Sequence, residues 1–301
     1  MNKKIHYTEL GATLFVPATH KNLAQIVSGT KYPNLKSVVI DTEDAISDDD
    51  LGHAIKITIK LLGTFKKSKL LVFVRPRNVD VLGELLISKD INKLDGFILP
   101  KFSLINAQQY LDILEPFSHQ IMPSIEGSEL FDTNKLTQLK KMLVKYKQKV
   151  ILVRFGLEDM LRQLSMRQTC EDSIFDMAVT SSVLGNFLAI FKSSGFSVSG
   201  GVYPCFNNKL GFSKNVNRDL KEGLFSKTII HPSQIDLTHE VYKVTKKELD
   251  EANELLSSSN AIINLDAKMG EAKTMGPHAK LIVKRAKIYG ISKSSQQHDL
   301  E

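Results

Sequence analysis

Eight short apolar segments, rich in β-branched residues, alternate along this chain with longer amphipathic segments. The apolar segments cover residues 14–16, 38–40, 70–74, 96–99, 121–122, 150–153, 198–202 and 228–230, and helical spacing marks 51–62, 105–114, 130–146 and 175–191. Such alternation is typical of parallel strands joined by helices, and eight strands close a barrel. The sequence therefore predicts an α/β fold, a TIM (β/α)8 barrel. An open, doubly wound sheet has the same pattern and is the alternative.

Charge and composition are typical of a globular protein whose solvated surface tolerates anionic substrates. The 301 residues carry a formal net charge of +7, but the lysines are spread out and form no dense basic tract. We therefore expect no nucleic-acid partner. The apolar runs are far shorter than the roughly 20 residues of a membrane helix, so no membrane partner is expected.

The N-terminus does not resemble a signal peptide, which predicts a cytoplasmic protein with Cys170 and Cys205 reduced; a disulfide between them is the alternative.

Residues beyond the eighth apolar segment exceed what a barrel requires. Thr245 and Glu248 have the spacing of a capping box and predict the start of a helix. A further helix is expected from about Pro277. We predict a barrel over residues 1–240, a C-terminal helical extension or lid over 241–291, and a disordered tail over 292–301.

Charged residues follow the apolar segments at the points where the predicted strands end. The C-terminal ends of all strands open on one face of a parallel barrel, so we expect these side chains to meet in one mouth and to form an enzyme active site. The set comprises Asp41, Glu43, Asp44, Arg75, Lys101, Glu126, Asp159 and His231.

Glu126 and Asp159 follow the fifth and sixth predicted strands, which are neighbours in a barrel. Two ionised carboxylates on adjacent strands repel each other unless a cation lies between them. Magnesium typically binds one or two protein carboxylates, whereas zinc prefers histidine and cysteine, which are absent nearby. The pair therefore predicts a Mg²⁺ site. The alternative is that each acid caps the helix that follows it.

Arg75 ends the third predicted strand and could hold a substrate carboxylate through two parallel hydrogen bonds. Arg77 is the rival for this task, because the intervening proline does not decide which side chain turns inward. The acidic corner of Asp41, Glu43 and Asp44 could order metal-bound water or an arginine. For Lys101 we expect an electrostatic or structural role, since a metal site makes a Schiff base unnecessary.

In their order, these motifs resemble the citrate lyase beta-subunit and malyl-CoA lyase family. The resemblance is carried by residues 14–17, 41–45, 74–75, 99–101, 125–126, 155–159 and 230–235. It implies a TIM barrel, a magnesium ion, and cleavage or formation of a carbon–carbon bond next to a carbonyl, usually with an acyl-CoA partner. By the same resemblance, Glu126 and Asp159 bind magnesium, Arg75 holds a small oxo-acid, and the acidic corner supports them.

The chain departs from the family at positions linked to coenzyme A. Family members carry arginines on both sides of the first strand, whereas this chain has Gly11 and Ala12 before it and Ala18 and His20 after it. A coenzyme A thioester is therefore one possible substrate rather than a required one. Family relatives also supply an acidic residue from a neighbouring subunit, and Glu271 is the nearest match here. The resemblance thus implies a homo-oligomer, with a trimer as the family precedent.

The residues and the resemblance together predict a magnesium-dependent carbon–carbon lyase that acts on a small 2-oxo-acid or a 3-hydroxyacyl thioester. Two alternatives remain open. One is a 2-oxo-acid aldolase that does not use coenzyme A. The other is a catalytically degenerate metal-binding barrel that serves as a binding or assembly component.

Overall fold

A parallel sheet of seven strands forms the centre of the computed structural model, which describes residues 4–266 and 268–292. Its strands lie in the order β6-β5-β4-β3-β2-β1-β7. Neighbours in the sheet are therefore mostly neighbours in sequence, as in a barrel wall. The strands are β1 (Ala12–Pro17), β2 (Ser37–Asp41), β3 (Leu71–Arg75), β4 (Gly96–Leu99), β5 (Gln120–Ile125), β6 (Arg154–Phe155) and β7 (Lys227–Ile229).

Backbone hydrogen bonds close this sheet into a ring. Val153 donates to the Ser197 carbonyl at 2.8 Å and accepts from the Ser199 N–H at 3.1 Å. On the other side, Gly200 is bridged in parallel to Lys227 of β7. The seventh predicted strand is therefore present only as single bridges, and the expectation of a regular strand there is wrong. Its backbone still makes the contacts on both sides that join β6 to β7.

The sixth predicted strand also differs from the expectation. Its regular pairing with β5 falls on Arg154 and Phe155, just after the predicted run 150–153. Within that run, Val150 is bridged to Ile121 of β5, whereas Val153 is bridged to Val198 on the opposite side. Because the two residues pair with different neighbours, no continuous ladder forms across the run.

Helices follow the strands on the outside, as the amphipathic segments predict. Within the described residues, no helix is both long and apolar enough to cross a lipid bilayer. The helices between β1 and β7 are α1 (Leu23–Val27), α2 (Leu51–Thr64), α3 (Val79–Leu86), α4 (Ala107–Leu114), α5 (Thr133–Lys145), α6 (Leu157–Gln163), α7 (Ala178–Lys192) and α8 (Lys209–Lys221).

The interior of the barrel is packed rather than hollow. A cluster of buried apolar side chains from the middle of the strands and from segments outside them fills part of it, as is typical of such barrels. The buried cluster consists of Ile5, Leu10, Val39, Phe73, Ile98, Met122, Ile151 and Leu152.

A second compact unit begins at Asp236, within α9 (Gln234–Tyr242), so the predicted boundary after residue 240 lies inside a helix. The unit contains α10 (Lys246–Ser257), the antiparallel hairpin of β8 (Ile262–Leu265) and β9 (Lys268–Glu271), and α11 (Ala272–Tyr289). The predicted capping box of Thr245 and Glu248 is present at the start of α10. The helix expected from Pro277 begins five residues earlier. Most of the predicted tail, 293–301, lies outside the described residues.

Cys170 and Cys205 form a disulfide with a Cα–Cα distance of 5.7 Å, so the expectation of two reduced thiols is wrong for this structure. The two cysteines are 35 residues apart in sequence, so the disulfide joins two separate loops. The Tyr203 hydroxyl donates a 2.8 Å hydrogen bond to the Cys170 carbonyl and ties the same loops together. Sequence spacing alone could not reveal this approach.

Gly96 allows a close approach of β4 and β5. A Cβ atom at this position would lie 1.8 Å from the Gln120 carbonyl oxygen, which belongs to the backbone and cannot rotate away. We expect Gly96→Ala to lower the thermal midpoint by roughly 5 °C or more, as overpacking does. Circular dichroism measures this directly.

Gly185→Ala is the matched control, because Gly185 lies inside α7 and has open space where a Cβ would be. Alanine is the better helix former, so this variant should be as stable as the wild type or more stable. Equal midpoints for the two variants would contradict the packing argument at Gly96.

Candidate active site

A cavity of about 470 Å³ opens at the C-terminal ends of the barrel strands. This volume lies within the usual range for small-molecule sites. Five of the residues singled out in the sequence line it, although they come from segments far apart in the chain. These are Asp41, Asp44, Arg75, Glu126 and Asp159.

Asp41 and Arg75 form the most tightly defined contact of the cavity. They are direct partners in the register of β2 and β3. Arg75 donates from Nε and Nη2 to the two carboxylate oxygens of Asp41, each at 2.7 Å. Burial alone would lower the pKa of Arg75, but these hydrogen bonds and the neighbouring acids raise it above its usual value. The guanidinium is thus permanently charged and held in one orientation.

Arg77, the predicted rival of Arg75, turns away from this cavity to the loop after β2. Its guanidinium forms an ion pair with Asp48 and donates to the carbonyls of Glu43 and Ile46. Arg77 therefore holds the acidic corner from outside, while Arg75 contacts the cavity. The sequence could not decide between the two, because the choice depends on where β3 ends.

Glu43 is buried beneath the cavity wall between two cations. Its Oε2 lies 2.7 Å from Nη1 of Arg75, and its Oε1 contacts the Lys101 ammonium group. Lys101 also contacts Asp44 at 3.2 Å. Burial raises the pKa of Glu43 to about 7, even though Arg75 and Lys101 favour its charged form. The contacts of Lys101 agree with the electrostatic role expected for it.

Lys101 has a second function through its backbone. Its φ of 47° lies in the left-handed region, which is uncommon for a residue with a side chain. In this conformation its N–H donates to Oε1 of Glu126 at 2.5 Å, while the Ser124 hydroxyl donates to Oε2 at 3.1 Å. The Glu126 carboxylate is therefore oriented from two sides.

Glu126 and Asp159 are electrostatically coupled across the cavity. Burial raises the pKa of Glu126; the Lys101 N–H opposes this shift, and the charge of Asp159 adds to it. Asp159 lies in the first turn of α6 and accepts a 2.5 Å hydrogen bond from the exposed side chain of Arg162. Gly156 is needed for this arrangement, because a Cβ there would lie 2.1 Å from Cβ of Glu126.

The donor chemistry of this pair fits a magnesium ion. The cavity offers two oxygen ligands, of which Glu126 is disfavoured as an unpaired anion by its burial and by Asp159. Within residues 4–266 and 268–292, no group of three or more histidine, cysteine, aspartate or glutamate side chains forms a denser metal site. A sparse set of one or two carboxylates is the usual protein contribution to Mg²⁺ binding, since water and substrate oxygens complete its shell.

Arg154 was not singled out in the sequence, yet it is a buried cation in the same cavity. The signal was present: an arginine interrupts the apolar run Val153-Arg154-Phe155. The strand-end pattern includes only polar residues that follow a strand, and Arg154 lies within one. Thr228 and Ser124 also line the cavity and were missed, because hydroxyl side chains are common in strands.

Glu271 is at the end of β9, in the second compact unit, where it is the N-cap of α11. The Thr274 hydroxyl donates a 2.9 Å hydrogen bond to its Oε2. Its role as the acidic residue implied by the family resemblance stays a prediction.

Comparisons with known proteins agree with the fold and the motifs. Residues 4–291 match a family described as C–C bond lyases of the TIM-barrel fold, which confirms the predicted barrel and the lyase resemblance. The citrate lyase beta subunit of Escherichia coli is 25% identical, over 92% of this chain and 93% of the relative. A (3S)-malyl-CoA thioesterase of Cereibacter sphaeroides is 21% identical, over 82% of each chain.

A solved structure of similar fold is CitE from Mycobacterium tuberculosis in complex with magnesium, acetoacetate and coenzyme A. It superposes with a TM-score of 0.68 and covers 93% of this chain and 99% of its own, at 16% sequence identity. At this identity the likeness concerns the fold.

The pKa of Glu43 predicts a specific dependence of stability on pH. Its folded-state pKa of about 7 lies above the unfolded value of 4.5, so between these two values the folded protein retains a proton that the unfolded chain releases. The wild type should therefore lose on the order of 3 kcal/mol of unfolding free energy, relative to Glu43→Gln, as the pH rises from about 4.5 to about 7. Denaturant unfolding at a series of pH values measures this difference.

Glu84→Gln is the control, since Glu84 is exposed on α3 and distant in sequence from the acidic corner. Its stability curve should run parallel to that of the wild type. A parallel curve for Glu43→Gln as well would show that Glu43 has an ordinary pKa.

Proposed function

Because the chain belongs to the family of C–C bond lyases of the TIM-barrel fold, we propose that it is a magnesium-dependent lyase acting on a small 2-oxo-acid or a 3-hydroxyacyl thioester. The observation that supports this most is that Glu126, Asp159 and Arg75 line one cavity. They combine two oxygen ligands for a hard cation with one fixed guanidinium. This combination suits a reaction in which negative charge develops on a carbonyl oxygen.

Glu126 and Asp159 would hold Mg²⁺. When bound, the ion supplies Lewis-acid polarisation of the 2-oxo-acid carbonyl and orients the adjacent carboxylate. The remaining contributions come from the chain itself. Ser124 and the Lys101 N–H keep Glu126 in one rotamer, so little reorganisation is needed when the ligands assemble.

Arg75 binds the oxo-acid and stabilises negative charge on its oxygen atoms. Asp41 holds the guanidinium in place, and Glu43 and Asp44 contact Nη1 from the other side. In the cleavage direction, a carboxylate of the cavity takes the proton of the substrate hydroxyl, the carbonyl of the 2-oxo-acid forms and the carbon–carbon bond breaks. The electron pair of the broken bond moves to the carbon next to the carbonyl of the other product. That carbon then takes up a proton. Following the family resemblance, in which a neighbouring subunit supplies an acidic group, we assign this last step to Glu271 of a second copy of the chain.

Two substrate classes are compatible with this reaction: acyl thioesters and free 2-oxo-acids. The names of the relatives, citrate lyase beta subunit and malyl-CoA thioesterase, and the coenzyme A bound to CitE favour an acyl thioester. Ala18 and His20, which replace the family's arginine region after the first strand, favour an aldolase acting on free 2-oxo-acids. Thermal midpoints measured with coenzyme A thioesters and with pyruvate or oxaloacetate separate the two, because only a bound ligand raises the midpoint.

Removal of either proposed ligand should weaken magnesium binding. We expect Glu126→Gln and Asp159→Asn each to raise the Kd for Mg²⁺ roughly tenfold or more, since even loss of an outer contact to a metal ligand has effects of this size. Isothermal titration calorimetry measures the affinity, and Glu84→Gln should leave it unchanged. Wild-type affinity in both site variants would remove the metal assignment.

Turnover should depend on Arg75 with the fold intact. Arg75→Lys keeps the charge but loses the paired contact with Asp41, so we expect a large fall in kcat/KM on whichever oxo-acid or thioester is turned over. Circular dichroism verifies folding. An inactive wild type across the whole substrate panel, with magnesium still bound, would instead favour the binding or assembly component.

A further inference from the structure

Arg154 is a buried cation that lines the cavity. It lies on β6, directly opposite Ser124 of β5, and only 7% of its surface is exposed. Its Nη2 donates to the Thr228 hydroxyl at 2.6 Å, across the point where the barrel closes. Its Nη1 is buried and has no hydrogen-bond partner among the described residues. A guanidinium therefore borders the cavity with part of its donor capacity unused.

The contrast with Arg75 shows what is unusual about Arg154. Both guanidiniums lie against the ring of Phe15, at 5.2 Å for Arg75 and 5.0 Å for Arg154 from their Cζ atoms to the ring centroid. Arg75 is neutralised by Asp41, Glu43 and Asp44. In the part of the chain that the structure describes, Arg154 forms no ion pair. Of these two arginines, it is Arg154 whose positive charge is left without a paired carboxylate.

A buried and unpaired guanidinium is costly to the folded protein. Burial, together with the charge of Arg75, lowers the pKa of Arg154 to about 10, although the charge of Glu126 opposes this shift. At neutral pH the group is still charged. An anion bound against Nη1 would recover the missing interaction in a setting of low dielectric constant, where such contacts are strong.

The position of Arg154 differs from that of the proposed metal ligands. Gly156, which packs against Cβ of Glu126, follows Arg154 by two residues and comes directly after the end of β6. Two residues span roughly 6.6 Å along a strand, so Arg154 arises about one layer deeper than the contact with Glu126. A ligand that reaches both groups has polar ends separated by a short carbon chain.

We infer that Arg154 recognises a second anionic group of the substrate, so that the oxo-acid is a short dicarboxylate rather than a monocarboxylate. This inference rests on the proposed function, because it assigns the 2-oxo-acid end to Glu126, Asp159 and Arg75. Thr228 is a positioning residue: it orients the guanidinium and leaves Nη1 for the ligand. Phe15 excludes water from the same region.

The test compares ligands that differ by one carboxylate. Isothermal titration calorimetry on the full-length protein with Mg²⁺ uses pyruvate as the monocarboxylate, and 2-oxoglutarate and freshly prepared oxaloacetate as dicarboxylates. The wild type should prefer at least one dicarboxylate over pyruvate by roughly ten- to hundredfold in Kd, the range of a charged hydrogen bond. Arg154→Met should remove this preference while the Kd for pyruvate stays within about threefold.

Arg154→Lys is the conservative variant and should retain part of the preference, because the charge remains. Arg154→Met should also have a thermal midpoint, without ligand, equal to or above that of the wild type, since a buried unpaired charge is gone. Equal affinity of the wild type for pyruvate and both dicarboxylates would overturn the inference. The inference would also be overturned if Arg154→Met kept the preference for a dicarboxylate, or if this variant lost affinity for all three ligands to the same extent.

A measurement without metal separates this inference from the proposed function. Succinate, at an ionic strength matched with sodium chloride, should raise the thermal midpoint of metal-free wild type but not that of Arg154→Met. If this shift occurs and Mg²⁺ does not bind, the anion site stands and the lyase proposal fails. If Mg²⁺ and pyruvate bind together but succinate raises the thermal midpoint of neither protein, the lyase proposal stands and the role of Arg154 fails.

Discussion

Closure of the parallel sheet by the backbone of residues 197–200 is the constraint on which the rest of the barrel depends. The segment bridges Val153 on one side and Lys227 on the other, although it forms no regular strand. This closure leaves only the segment 197–200 between β6 and β7, and it brings Arg154 within hydrogen-bond distance of Thr228. In an open sheet these two residues would lie at opposite edges, and no single cavity would collect the strand ends.

The distribution of charge in the cavity follows from this ring. Asp41 and Arg75 are register partners on adjacent strands, so their pairing is a direct consequence of strand order. Glu43 and Lys101 extend the same network, which holds the acidic corner rigid. Arg154 arises on the other side of the ring, beyond the reach of these carboxylates. The cavity thus combines an arginine held by three carboxylates with one that forms no ion pair within the described residues, and our inference assigns the binding of an anion to the second.

Family membership and cavity chemistry support the function at different levels. The family match covers residues 4–291 and gives the reaction class. The pair of Glu126 and Asp159 supports a divalent cation by its donor type and its mutual repulsion. Nη1 of Arg154 bears on which substrate is bound, because it has no hydrogen-bond partner among the described residues and is left for a group of the ligand. The distinction matters, since proteins with one fold and one reaction class often differ in the acid they accept.

The sequence by itself determined the barrel and the residues at its strand ends, because periodicity and strand length follow from local side-chain pattern. Its errors in secondary structure were local: the seventh predicted strand forms only single bridges, and α11 begins before Pro277. Tertiary structure alone decided which arginine contacts the cavity, that Cys170 meets Cys205, and that Arg154 lacks a carboxylate partner. Each of these depends on the distance between residues far apart in the chain, and a sequence pattern records spacing along the chain but not across a closed barrel.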